Sequence, residues 1–93
     1  AMLLAVTRAG VVRVSKAGGE HEDLVVGPGF AEVTPLGVTL LVDRVEPAGQ
    51  IDKDKAQRDL DAAEKVLGQA MAGTDEWRDA EYQADMARAR LSV

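Results

Sequence analysis

The residues able to do chemistry in this 93-residue chain are few and poorly assorted. His21 is the single histidine and cysteine is absent, which excludes a thiolate nucleophile, a disulfide and a zinc–thiolate site. His21 lies in a polar strand edge, His21-Glu22-Asp23, without the further ligands a metal ion requires. Asp52, Asp54, Asp59 and Asp61 cluster, but Lys53, Lys55 and Arg58 interleave them. A calcium loop needs alternating oxygen ligands around a central glycine, so the pattern reads instead as a solvated helix face with mixed charge pairs. Gly27-Pro28-Gly29 is no phosphate cradle, because proline removes an amide donor and no Gly-Lys-Ser or Gly-Lys-Thr follows. Ser15 and Ser92 have no histidine or other evident base in their local sequence and no elbow motif, and Trp77 falls on a helical stripe where it reads as core. These residues predict no catalytic site and no metal site.

Composition narrows the classes further. Sixteen acidic against eleven basic residues give a net charge of −5, the wrong sign for a phosphate-backbone binder, and three aromatics (Phe30, Trp77, Tyr82) leave little to stack bases on. Hydrophobic residues make up 46% of the chain, enough to build a core. No apolar run approaches the ~20 residues that span a bilayer, and residues 1–7 lack the basic flank and cleavage pattern of a secretory leader. A soluble, acidic protein of the cytoplasm is expected.

The elements that must position these residues change type near Pro47. Ten of twelve valines and six of nine glycines lie at or before it, whereas alanines and charges dominate after it. Valine's branched β-carbon disfavours helix and alanine loses no side-chain entropy there, so strands should come first and helices second. The predicted units are a partial β-sandwich over residues 1–47 and a helical hairpin over 48–93, joined at Pro47-Ala48-Gly49-Gln50. In the first unit, short apolar strands over 2–6, 11–15, 20–26, 30–34 and 38–42 alternate with turn signals at 7–10, 16–19, 27–29 and 35–37, describing an antiparallel meander. Residues 38–42 are apolar on both faces apart from Thr39, which suits a central or doubly covered strand. In the second unit, Ala56, Leu60, Ala63, Leu67 and Ala70 form one helical stripe, with Asp52 as N-cap and Gly73 as the end. Thr74 caps a second helix, whose stripe is Trp77, Ala80, Ala84, Ala87 and Leu91. The class is α+β: an antiparallel β-meander, part of a β-sandwich, followed by a C-terminal antiparallel α-helical hairpin.

This order of parts carries a resemblance. Ala9-Gly10-Val11-Val12-Arg13-Val14, Gly29-Phe30-Ala31-Glu32-Val33, Val38-Thr39-Leu40-Leu41-Val42-Asp43, Ile51-Asp52 and the closing Ala87-Arg88-Ala89-Arg90-Leu91-Ser92-Val93 follow one another over nearly the whole chain. Together they resemble the epsilon subunit of bacterial F-type ATP synthases, the counterpart of the mitochondrial delta subunit. The resemblance implies that about half a β-sandwich, including a Gly-Ile-Leu-Pro-Gly-His segment near the membrane ring, precedes the point where this sequence begins. Residues 1–47 are therefore expected to borrow a partner, to pack on their own hairpin, or to form a partial fold.

It also implies a non-catalytic role on the central stalk, with the sandwich gripping the gamma subunit and the c-ring. The C-terminal helices would either fold against the sandwich or extend along gamma into the alpha/beta catalytic head, restraining ATP hydrolysis. Such a subunit is peripheral, on the cytoplasmic side of the bacterial inner membrane, and meets the membrane only through the complex. Arg78, Arg88 and Arg90 are the candidate partner contacts; a solvated face and dipole capping explain the same three residues equally well. Some members bind ATP as a regulatory ligand through an Ile/Leu-Asp-x-x-Arg-Ala motif. Here Ile51, Asp52 and Ala56 match it, Lys55 replaces its arginine, and Arg90 is the one further arginine retained, the others aligning with Ala62 and Met86. Lysine lacks the planar fork that suits phosphate. Two other readings stay open: an unrelated interaction module dimerising through its helices, and an ATP-sensing hairpin acting alone.

Overall fold

The computed structural model describes residues 2–6, 8–15 and 17–93, without the side chains of Leu4 and Val6. Six strands come first: β1 (Met2–Val6), β2 (Gly10–Ser15), β3 (His21–Val26), β4 (Gly29–Thr34), β5 (Gly37–Val42) and β6 (Val45–Pro47). A 3₁₀ turn (Ala48–Gln50) then leads into α1 (Lys53–Gln69) and α2 (Asp75–Leu91). The expected α+β class, strands first and a helical hairpin last, is borne out. Of the expected turns, the parts at Thr7 and Lys16 lie outside the described residues.

The strands form two three-stranded antiparallel sheets, ordered β1-β4-β5 and β2-β3-β6. The registers show how one meander yields two sheets. Val26 pairs with Val45 in one sheet and Gly29 with Val42 in the other, so the partners keep a single offset across the break. Between them, the Gly27 N–H donates to the Arg44 carbonyl at 2.9 Å and the Asp43 N–H to the Pro28 carbonyl at 3.1 Å. β3–β4 and β5–β6 are thus two long strands bent together at one corner, as strands do when they pass from one sheet to another. The corner depends on Gly29: a Cβ there would stand 2.2 Å from the Leu41 carbonyl oxygen. At the β2–β3 turn, Gly18 and Gly19 hold φ of +95° and +86°, which glycine adopts without strain.

The β2-β3-β6 sheet is covered on one face by α2. Val25, Met86 and Ala89 are buried together, with Ala9, Ile51, Tyr82 and Val93 packed around them. Among the described residues, the β1-β4-β5 sheet has no such cover, although Ala31 at its centre is buried. Phe30 is 50% exposed, Val38 62%, Leu41 61% and Leu3 63%. This corrects the reading of residues 38–42 as a central or doubly covered strand: β5 is an edge strand, and β4 takes the centre. Apolar sequence on both faces records a need for cover, which the chain's own helices supply only to the other sheet. Of the three outcomes expected for residues 1–47, packing on the hairpin holds for β2-β3-β6 and a partial fold holds for β1-β4-β5. The radius of gyration, 15.0 Å, exceeds the about 12 Å of a compact chain of this length, as the open sheet requires.

The hairpin follows its sequence closely. The Asp52 carboxylate accepts from the Lys55 N–H, and the Thr74 hydroxyl oxygen accepts from the Trp77 N–H, so both expected caps form. Ala56 and Ala63 of α1 and Ala80, Ala84 and Ala87 of α2 are buried, letting the helices approach closely. α1 ends at Gln69 rather than Gly73. Gly68 lowers helix propensity in the last turn, Ala70 is already extended, and Gly73 belongs to the turn that follows.

Candidate functional site

A gathering of charge lies where β6, α1 and α2 meet. Strand alternation places Glu46 opposite Val25 and so on the face that α2 covers. Asp52 caps α1, which sends Lys55, Ala56 and Asp59 up the side of that helix facing the corner. Arg90, in the last turn of α2, reaches back to the sheet. Together with Arg44, Ile51 and others, these residues line a cleft of about 290 Å³. All five residues expected to hold nucleotide, Ile51, Asp52, Lys55, Ala56 and Arg90, are among its walls.

The cleft's three cations already have carboxylate partners. Arg90 donates to Glu46 through both arms, Nε to Oε1 at 2.7 Å and Nη2 to Oε2 at 2.8 Å. Arg44 Nε lies 2.8 Å from the same Oε2. The Lys55 ammonium donates to Asp59 at 2.9 Å, one helical turn along. The hydrogen bonds from Arg90 hold the Glu46 carboxyl below its ordinary range against the opposing effect of burial, and raise the Arg90 guanidinium in return. Lys55 likewise lowers Asp59. Cations (Arg44, Lys55, Arg90) and carboxylates (Glu46, Asp52, Asp59) are equal in number, so an anion entering the cleft has to displace a carboxylate from a guanidinium or ammonium.

The three arginines expected to meet a partner are not one surface. Arg78 is exposed near the hairpin turn, 3.5 Å from Asp75. Arg88 is half exposed and lies 3.6 Å from both Glu64 of α1 and Asp85 of its own helix. Arg90 points inward, its side chain only 14% exposed.

Glu46 and Arg44 carry no signal in the sequence, nor does the second link between α2 and the strand half of the chain. In that link Arg8 donates to Asp85 through Nε at 3.0 Å and Nη2 at 2.6 Å. Sequence separations of 44 and 77 residues leave no local signal for such pairs. Of the residues read as inert from sequence, Asp59 lines the cleft instead of a solvated face, Trp77 is half-buried rather than core, and Ser15 has His21 beside it across the β2–β3 pair. Gln57 donates to Asp61, and the Ser15 hydroxyl and His21 Nδ1 are 3.3 Å apart on an exposed strand edge. Among the described residues, no three His, Cys, Asp or Glu side chains are grouped to hold a metal ion, and no helix is long and apolar enough to cross a membrane.

Comparison with known proteins places this geometry. Residues 1–48 match the family described as ATP synthase, Delta/Epsilon chain, beta-sandwich domain. The ATP synthase epsilon chain of Macrococcus caseolyticus (strain JCSC5402) is 35% identical over 86 residues, covering 92% of this chain and 63% of that protein. That of Rhizobium etli (strain CIAT 652) is 38% identical over 64 residues, covering 69% of this chain and 47% of that one. The chain spans about half the length of the curated Rhizobium relatives it matches. In fold it is similar to a chain in the cryo-EM structure of Euglena gracilis mitochondrial ATP synthase, OSCP/F1/c-ring in rotational state 1. The TM-score is 0.73 at 21% identity, covering 95% of this chain and 54% of that chain. With more than half of its length matched by the family and strands and helices in the expected order, the chain belongs to the delta/epsilon family of ATP synthase chains.

Proposed function

We propose that this chain acts as a non-catalytic central-stalk subunit of an F-type ATP synthase and restrains ATP hydrolysis when its helical hairpin leaves the strands. In this reading residues 1–47 are the unit that meets the gamma subunit and the c-ring, and 48–93 the unit that moves toward the alpha/beta head. The subunit is peripheral, on the cytoplasmic side of the bacterial inner membrane. The observation that carries the reading is the character of the joint. Among the described residues, Val25 and Met86 are the large side chains fully out of solvent at this joint, and two ion-paired links, Arg90–Glu46 and Arg8–Asp85, hold α2 there. The alanine seam between α1 and α2 is the more extensive contact, so the hairpin separates as a unit from the sheet before it separates into helices. Arg78 and Arg88, already exposed, are available to acidic surface on the head, and Arg90 joins them once released. The test is a pull-down with gamma, using the chain alone and preceded by the N-terminal segment of a relative. Capture of the longer form supports the assignment, and its failure to associate removes it.

The cleft favours a second reading, ATP as a regulatory ligand of the closed hairpin. Its support is the convergence of Ile51, Asp52, Lys55, Ala56 and Arg90 on one cavity. The paired state of its cations and the lysine at position 55 weigh against tight binding. Calorimetry at millimolar ATP decides it: binding heat that disappears in Arg90→Ala supports the reading, and no heat ends it.

A further inference from the structure

The Glu46 carboxylate is shared unequally between two guanidiniums. Oε1 receives only Arg90, whereas Oε2 stands 2.8 Å from both Arg90 Nη2 and Arg44 Nε. The two arginines belong to different parts of the molecule. Arg90 travels with α2, while Arg44 is fixed at the sheet corner, where its carbonyl oxygen accepts the Gly27 N–H. Separating a half-buried carboxylate from its sole partner is strongly unfavourable, because the charge is left neither paired nor fully hydrated. Glu46 escapes that penalty, since Arg44 remains when Arg90 goes. In the docked state the two like-charged guanidiniums converge on one oxygen and weaken each other's hold.

We propose that Arg44 is an exchange partner for Glu46: it keeps the carboxylate paired after α2 leaves and thereby sets how readily the hairpin undocks. This rests on the reading of a detachable hairpin. Arg44 lowers the difference between docked and undocked states from both sides, by repelling Arg90 in the first and by holding Glu46 in the second. A guanidinium placed at this corner would otherwise be taken as one more clamp on the closed form, and the two roles predict opposite signs.

Arg44 and Asp43 also face the Tyr82 hydroxyl on α2, so a Tyr82→Phe background isolates the Glu46 contact. With no native cysteine, Glu20→Cys and Gln83→Cys give a unique spin-label pair, one near the start of β3 and one on α2. Pulsed dipolar distances in the full chain then report the docked and undocked fractions. Arg44→Ala and the uncharged Arg44→Gln are each expected to reduce the undocked fraction about threefold, whereas Arg90→Ala raises it. An undocked fraction that stays constant or rises in both Arg44 variants overturns the exchange role while leaving the detachable hairpin standing. If Arg90→Ala and Glu46→Gln also leave the long distance unpopulated, the hairpin does not detach, and both readings fall together.

Discussion

Glu46 and Arg90 are the residues on which docking of α2 most depends. Their bidentate pair is only partly exposed, 14% for Arg90 and 22% for Glu46, so solvent screens it less than the Arg78–Asp75 pair outside. Removing the guanidinium leaves the carboxylate to Arg44 alone, and Arg90→Ala is expected to weaken docking by about 1–2 kcal/mol, seen as a lower thermal midpoint. The pH dependence has a definite sign. Arg90 lowers the Glu46 carboxyl in the docked state, so its contribution is complete above the ordinary carboxylate value of about 4.3 and is lost as pH falls through the lower docked value. The docked fraction, followed by the label distance during acid titration, should decline below about pH 4 in the native chain. In Arg90→Ala that acid limb should flatten, whereas the Asp59 carboxyl, lowered chiefly by Lys55 of its own helix, has no strand partner to release. At this scale the caps were legible in the sequence and the docking pairs were not. Asp52 and Thr74 act on amide groups three residues away, while Arg90 and Glu46 meet only after the whole hairpin has formed.

The elements divide along the same line. Helix periodicity, the alanine seam and the strand-rich first half follow from side-chain entropy and burial, both local properties, and each could be read directly. The bend that deals two long strands into two sheets is set by a close backbone approach at Gly27-Pro28-Gly29, which sequence marks only as a break. Gly29→Ala should therefore do more than stiffen a turn. Its methyl would collide with the Leu41 carbonyl, backbone that cannot rotate away, and unfolding should become easier by about 2–3 kcal/mol in urea titration. Thr74→Ala removes the hydroxyl that caps α2 and should cost about 1 kcal/mol, with a matching loss of helical signal on heating. The contrast between the two tests whether the sheet corner or the hairpin turn is the stiffer joint. The end of α1 at Gln69 shows the limit of local signals, since Gly73 is the stronger stop but the helix has already yielded.

At the scale of the molecule the uncovered β1-β4-β5 sheet dominates behaviour. Phe30 and Leu41, cross-strand partners on one face, form exposed apolar surface of the kind that marks an interaction face, and Val38 is exposed on the other. A hydrophobic dye should bind the isolated chain and be displaced by gamma; absence of dye binding would mean that the sheet is covered in solution. The same surface explains why the sequence of residues 38–42 calls for cover that the chain's own helices do not supply. In the proposed function the working elements of this acidic chain are a grip and a detachable hairpin. The most direct test adds the chain to a gamma-containing alpha/beta head and follows ATP hydrolysis. The account predicts that the rate falls at saturating chain and falls further with Glu46→Gln, which frees the hairpin and keeps Arg90 for the head. An unchanged rate with both forms, although gamma captures them, would contradict it.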